Sequence, residues 1–304
     1  MKNLSIIGIG KLGLCFALTI ERSGYNVLGC DINQDYVDLV NSKVFSSDEQ
    51  NVNKYLKENK NFTATTDLND TINFSDAIFV VVATPSLDNG KYDHKQVDSL
   101  VKNLKSLGVQ KNRKDLVICC TTMPGYCDEV QAELLDYNFK VSYNPEFIAQ
   151  GTILKNQSNP DMVLIGQADK DAGDLLQEIY ERHTINSPRI CRMRRKEAEI
   201  CKISLNCFLT TKIAFANMIG DIATYSSCDP DVILKAIGSD SRVGNKYLGF
   251  GYGYGGPCFP RDNRALAIYA DEIGINALVS KASDDSNRAH LFYQVESFCT
   301  ETNK

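Results

Sequence analysis

Short apolar runs alternate with amphipathic stretches through the first two thirds of the chain. Residues 77–83 and 116–120 are strongly apolar runs, and 4–8, 25–30, 139–143 and 162–166 are shorter strand candidates. Residues 14–23, by contrast, repeat apolar positions at helical spacing. Continuous apolar strands separated by helices predict a parallel sheet covered on both faces. From residue 196 the pattern changes. Residues 196–226 hold no proline and no glycine before Gly220, and they predict one long helix, followed by shorter helices near 230–238, 263–273 and 277–297. Ile200, Ile203, Cys207, Ala214, Ile219 and Ile222 spread the apolar positions over much of the long helix. Glu199, Lys202, Asn206, Thr210 and Asn217 form a narrow polar stripe, three, four or seven residues apart and so on one face. Such a stripe is either a solvated face with a Glu199–Lys202 pair or a set of side chains aimed into a site. Helix geometry alone leaves both open.

The pattern predicts an α/β fold. Residues 1–195 form a Rossmann-type doubly wound sheet, and residues 196–304 form an all-helical domain built on the long helix. The length of 304 residues fits two domains. A net charge of −5 without a basic tract argues against nucleic acid as partner. No apolar run is long enough to span a membrane, and no export signal precedes the first strand. Eleven cysteines without paired spacing read as reduced, mostly buried thiols in a cytoplasmic protein. The three histidines are far apart, and no metal site is expected.

Two motifs carry chemistry. Gly8-Ile-Gly10-Lys11-Leu12-Gly13 follows the first strand and opens the first helix, and Asp31 ends the second strand. In a dinucleotide-binding turn Gly8 allows the tight bend, Gly10 admits the pyrophosphate, and Gly13 lets helix pack on strand. The free N–H groups of the helix start receive the phosphates, and the acid takes the ribose hydroxyls. NAD is the expected cofactor, and Asp31 with no arginine close behind it disfavours NADP. The second motif is Gly251-Tyr-Gly-Tyr-Gly-Gly-Pro-Cys258-Phe-Pro-Arg261-Asp262. It reads either as a flexible loop with a buried cysteine or as a close-approach loop delivering a nucleophile, with a cation and a proton acceptor beside it.

These and other motifs resemble the nucleotide-sugar 6-dehydrogenases of the UDP-glucose/GDP-mannose dehydrogenase family, in the expected order. They are GIGKLGL at 8–14, VVATPS at 81–86, TTMPG at 121–125, NPEFIAQGT at 144–152, NPDMVLIG at 159–166, AEICKISLN at 198–206 and AIGSDSRVGNKYL at 236–248, then the glycine–cysteine loop. The resemblance implies roles. Cys258 would be the catalytic cysteine, Lys202 and Asn206 would face the reacting carbon and its oxyanion, and Asp262 would organise proton transfer. Thr122 and Glu146 would flank a catalytic water. Gly8, Gly10, Lys11, Leu12, Gly13, Asp31, Thr84, Thr122, Gln150 and Arg261 would hold NAD. Phe147, Ile148, Lys202, Asn206, Arg242, Tyr247, Leu248 and Gly255 would line the sugar-nucleotide site, with Arg242 reaching across a homodimer built on the 196–226 helix.

The implied reaction oxidises C6 of UDP-glucose to the carboxylate in two hydride transfers, through a thiohemiacetal and a thioester on Cys258. A UDP-amino-sugar or GDP-mannose substrate, a simple hydroxyacid-type dehydrogenase, and a non-catalytic nucleotide-binding or assembly module are the alternatives. Gln150 stands where the family commonly has an acid, Tyr36 where an arginine often accompanies the ribose acid, Pro257 where a small residue precedes the cysteine, and Arg261 where a lysine is usual. The family also carries a third, UDP-binding domain that these residues do not include, and weak, base-relaxed nucleotide binding is expected without it.

Overall fold

A computed structural model describes residues 2–148 and 151–302, with the side chains of the last three left aside. It divides into two compact units: Met1–Pro85 with Asp93–Glu199, and Ser86–Tyr92 with Ile200–Lys304.

The first unit begins β1 (Asn3–Ile7), α1 (Lys11–Arg22), β2 (Asn26–Cys30), α2 (Gln34–Asn41), α3 (Val52–Glu58), β3 (Phe62–Thr65), α4 (Leu68–Phe74) and β4 (Ala77–Val80). It continues α5 (Lys95–Ser106), β5 (Lys114–Ile118), α6 (Tyr126–Leu134), β6 (Phe139–Tyr143), α7 (Ile153–Ser158), β7 (Met162–Gln167), α8 (Lys170–His183) and β8 (Arg189–Arg194). The strands lie in the order β3-β2-β1-β4-β5-β6-β7-β8. The first six repeat the doubly wound arrangement, whose ligand crevice opens where the order reverses, between β1 and β4. Every residue of β4 and β5 is buried, as strands covered on both faces must be.

The sheet is not wholly parallel as expected. β7 meets β6 antiparallel through Tyr143 and Gly166, and β8 then runs parallel to β7. The sequence pattern also passes over β3 and β8, which are the two edges of the sheet. Edge strands lie half in solvent and carry polar residues, so they lack a continuous apolar run. β8 reads Arg-Ile-Cys-Arg-Met-Arg.

In the second unit the long helix α9 (Arg195–Tyr225) is followed by α10 (Pro230–Ser239), α11 (Phe259–Glu272) and α12 (Leu278–Thr302). The unit boundary falls within the start of α9, after Glu199. Asp229 caps α10 by accepting the Asp231 N–H, with Pro230 at the first turn. Ala216, Leu234 and Leu248 form a small core, against which Ile219, Ile237 and Phe250 pack. Gly220 sits inside α9 because a Cβ there would lie 1.9 Å from the Phe250 ring. Among the described residues, no helix is long and apolar enough to cross a membrane.

Two histidines tie the stability of the first unit to pH. Burial holds the His183 imidazole down to about 4, and burial likewise lowers His94 to about 4. An imidazole that stays neutral in the fold takes up its proton first in the unfolded chain. The contribution of His183 is therefore whole above the ordinary histidine value and is lost as pH falls from there toward 4. Between pH 7 and pH 5 that loss is about 2 kcal/mol. In urea unfolding, His183→Leu should narrow the stability difference between those pH values. An equal difference in variant and parent would count against the assignment.

Candidate functional site

The first unit holds the dinucleotide features at the carboxyl end of the sheet. Gly8 adopts φ +86°, and a Cβ there would lie 2.6 Å from the Val81 carbonyl oxygen. A Cβ on Gly13 would lie 2.0 Å from the Gly8 carbonyl oxygen. Both positions accept only glycine, one for its backbone angle and both for lack of room. Gly10 faces open space instead. It caps α1, whose first turn carries no acid and no side-chain cap, so the helix start is free to receive an anion. Leu12 packs against the unit's core. The Lys11 ammonium lies 3.1 Å from the buried Glu49 carboxylate, which also accepts the Gly151 N–H at 2.7 Å. Glu49 escaped the sequence reading because it stands in an irregular polar segment.

Asp31 follows β2, and its carboxylate accepts the Asn33 N–H at 3.2 Å. Ile32 beside it is 99% exposed, an apolar surface on which a flat ring can lie. Tyr36 donates its hydroxyl to the Ile9 carbonyl at 2.6 Å, so it braces the glycine turn. These residues fit a dinucleotide: an open turn, a free helix start and a carboxylate at the ribose position.

The loops after β4 and β5 are tied to each other, and the loop after β6 is tied to β7 and α8. Thr84 donates to the Thr121 carbonyl at 2.8 Å. Asn144 donates to the Leu164 carbonyl and accepts the Tyr180 hydroxyl, which fixes the start of the segment carrying Glu146, Phe147 and Ile148, all half-buried. Gln150 lies outside the described residues. Thr122 is fully buried and donates to Glu199 at 2.9 Å. The same carboxylate accepts the N–H groups of Gly125 at 2.6 Å and Cys127 at 2.9 Å. Glu199 thus occupies the positive end of α6. Burial raises its pKa, opposed by those N–H bonds.

The second unit gathers the other candidates around Asp262, which is wholly buried in the first turn of α11. One oxygen accepts the Tyr92 hydroxyl at 2.8 Å and the Arg261 Nε at 3.3 Å. The other accepts the Asn206 amide at 2.6 Å. The Arg261 guanidinium lies 4.8 Å above the Tyr92 ring. Burial, then the nearby Asp262 charge, raises the Tyr92 pKa, so the phenol keeps its proton. Tyr92 ends a short turn closed by a Ser86–Tyr92 bridge, whose Gly90 meets Ile268 of α11. No periodicity marks it in the sequence. Lys202 is buried one turn of α9 before Asn206.

Cys258 is exposed and caps the start of α11, with its carbonyl accepting the Asp262 N–H at 2.9 Å. Cys258 is therefore not a buried thiol. The loop before it is gripped through its backbone. The Asn217 side chain accepts the Gly251 N–H and donates to the Tyr252 carbonyl. Asn287 does the same to Tyr254 N–H and carbonyl. His290 and Gln294 both reach the Gly251 carbonyl. Asn287, His290 and Gln294 are three and four apart on α12, a polar stripe that sequence spacing could have exposed.

Gly255 faces open space. Leu248 is buried in the small core, and Tyr247 is half-exposed at φ +60° with its ring edge-on to Phe259. Arg242 stands apart from the cluster, exposed and forked onto Asp240 at 2.7 and 3.0 Å. The polar stripe of α9 is not a solvated face: Glu199, Lys202, Asn206, Thr210 and Asn217 are all buried. Six of the eleven cysteines are buried, and no cluster among the described residues suits a metal ion.

The family description "UDP-glucose/GDP-mannose dehydrogenase family, NAD binding domain" matches residues 2–184, and the central domain of the same family matches residues 196–289. The chain is 29% identical over 303 residues to a UDP-glucose 6-dehydrogenase of Rickettsia bellii, covering 98% of this chain and 69% of that protein. It is 30% identical over 287 residues to a GDP-mannose 6-dehydrogenase of Pseudomonas aeruginosa, covering 90% and 65%. A solved UDP-glucose dehydrogenase from Pyrobaculum islandicum superposes with a TM-score of 0.86 at 28% identity, covering 95% of this chain and 68% of that one. The chain thus spans about two thirds of the length of the relatives it matches.

The Glu199 arrangement is open to test. A carboxylate can accept all three converging donors, whereas a glutamine turns an N–H toward one of them. Glu199→Gln should cost about 2–4 kcal/mol in urea unfolding. A loss below about 0.5 kcal/mol would show that the three bonds are not what fixes the 122–127 segment.

Proposed function

Because the chain belongs to the UDP-glucose/GDP-mannose dehydrogenase family, we propose that it takes part in NAD-dependent oxidation of a nucleotide sugar at C6, with UDP-glucose as the substrate and UDP-glucuronate as the product. The observation that carries this reading is the exposed Cys258 at the start of α11, one turn before a buried Asp262 whose two oxygens are held by Asn206, Tyr92 and Arg261.

Bound NAD would supply the hydride acceptor, held by the Gly8–Gly13 turn, the start of α1 and Asp31. The residues of this chain handle the rest. Loss of the hydroxyl proton and one hydride from C6 gives the aldehyde. The Cys258 sulfur attacks it, forming a C–S bond, and Lys202 and Asn206 stabilise the oxyanion. Loss of a second hydride leaves a thioester. Water adds to its carbonyl, the C–S bond breaks, and the carboxylate leaves with the thiol restored. Each sugar thus consumes one water and two NAD and releases two NADH. The covalent link prevents escape of the aldehyde between oxidations. Asp262 suits a role in handling the protons, and Glu146 with Thr122 suits orientation of the water.

The run Arg242-Val-Gly-Asn-Lys-Tyr-Leu resembles UDP-glucose enzymes more than GDP-mannose enzymes, and that resemblance supports UDP-glucose. The similar identity to relatives with either name supports testing both sugars, and UDP-amino sugars with them. α9 leaves Phe208, Phe215, Met218, Ile222 and Tyr225 exposed, an apolar surface suited to a homodimer in which Arg242 completes the neighbouring site. Cysteines scattered without paired spacing suit a cytoplasmic setting.

Cys258→Ala should lower acid formation by on the order of a thousandfold or more while the NAD dissociation constant stays near that of the parent. Near-normal turnover in the variant, measured as NADH per sugar consumed, would remove the cysteine from the chemistry and favour a simple alcohol dehydrogenase. The efficiency with NAD should exceed that with NADP by about a hundredfold, since Asp31 repels a 2′-phosphate and no cation follows it closely. Comparable efficiencies would refute the role of Asp31.

A further inference from the structure

His290 is buried on α12, with Nδ1 2.9 Å from both oxygens of Asp221 on α9 and Nε2 2.7 Å from the Gly251 carbonyl oxygen. A carboxylate and a carbonyl can only accept hydrogen bonds. Donating to both at once takes two ring N–H groups, which only an imidazolium carries. Its acceptor Gly251 opens the run that ends at Cys258.

We propose that His290 is a positioning residue for the Cys258 loop, acting as an imidazolium held between Asp221 and the Gly251 carbonyl, so that loss of its proton loosens the loop. The proposal rests on the reading of Cys258 as the nucleophile. A neutral imidazole has one N–H. It keeps one bond and turns a lone pair toward the oxygen at the other. The remaining grips on the loop come from Asn217, Asn287 and Gln294, which are amides and do not titrate. Of the groups lining the cavity at His290, Asp221 of α9 is the other charged one, and Tyr225 of α9 and Tyr293 of α12 are the other titratable ones. The loop presents the Phe250 ring at 5.7 Å, which carries no charge. The group facing the imidazolium is thus an anion, and the loop carbonyl completes its solvation.

The chemistry allows a variant that separates charge from geometry. In Asp221→Asn the amide can donate to Nδ1 while Nε2–H still donates to Gly251, so both bonds form around a neutral ring. The parent, Asp221→Asn and His290→Leu would be compared as full-length chains from pH 6 to pH 9. Two readouts apply: the kcat and KM for NAD, and amide hydrogen exchange of the 249–258 segment at matched pH. In the parent, kcat should fall and exchange should rise toward pH 9 relative to Asp221→Asn, by about tenfold, the worth of one lost bond to a charged partner. His290→Leu should lower kcat by a similar factor at pH 6, with KM for NAD changed less than about twofold.

Identical pH dependence in the parent and Asp221→Asn would overturn the proposal. So would unaltered kcat and exchange in His290→Leu. If that variant fails to fold, the comparison with Asp221→Asn still decides. If the parent oxidises no nucleotide sugar, the functional reading fails, while the exchange measurement still tests the loop.

Discussion

The second unit depends on a helix face that is polar and buried at once. From Lys202 the polar positions of α9 run 202, 206, 210, 217 and 221, and those from 202 to 217 are almost wholly buried. A buried polar group left without a partner costs about 1–3 kcal/mol. Four of these positions bond to separate segments. Asn206 holds Asp262, Thr210 holds Asn263, Asn217 holds the Gly251–Tyr252 backbone, and Asp221 holds His290. Turning the helix by one residue would break every one of these together, so its rotation is fixed far more sharply than an apolar face would fix it. Apolar packing alone tolerates such slips, because one aliphatic surface resembles the next.

That constraint explains why the cysteine loop can be so rich in glycine and still be ordered. Glycine weakens a loop by leaving it many conformations to lose. Here the loop backbone is bonded at Gly251, Tyr252 and Tyr254 by side chains on two helices. Gly253 presses against Asn287, where a Cβ would lie 2.6 Å from the amide oxygen, and Gly256 takes φ +76°. The glycines serve close approach and a turn, while the helices supply the order.

The dinucleotide turn and the residues around Cys258 differ in how plainly the sequence displays them. The dinucleotide turn is local: Gly8, Gly10 and Gly13 each answer a steric demand within a few residues, and Asp31 follows at the end of the next strand. The long helix was likewise visible from 196 to 226, against Arg195–Tyr225 in the structure. What spacing could not decide was which way the stripe faces, because a helical wheel contains no information about what packs on it. Tyr92, Glu49 and His290 were missed for a related reason. Their meaning lies in partners 170, 102 and 39 residues away. The edge strands β3 and β8 were missed because half-solvated strands look polar.

A nucleophile poses a conflict between access and orientation. It must be open to its substrate, yet a side chain free to turn spends little time in the productive geometry. Cys258 is exposed, but Tyr254 and Asp262 on either side of it are buried. Tyr254 is held by backbone bonds from Asn287 and by its hydroxyl on Asp284, and Asp262 is held at both oxygens. Only the short turn from Gly255 to Cys258 therefore stands in the open between two fixed points. Any freedom left to the sulfur is set by how tightly those flanks are held. Burial behind the loop, rather than rigidity within it, is what reconciles an accessible thiol with a defined direction of attack.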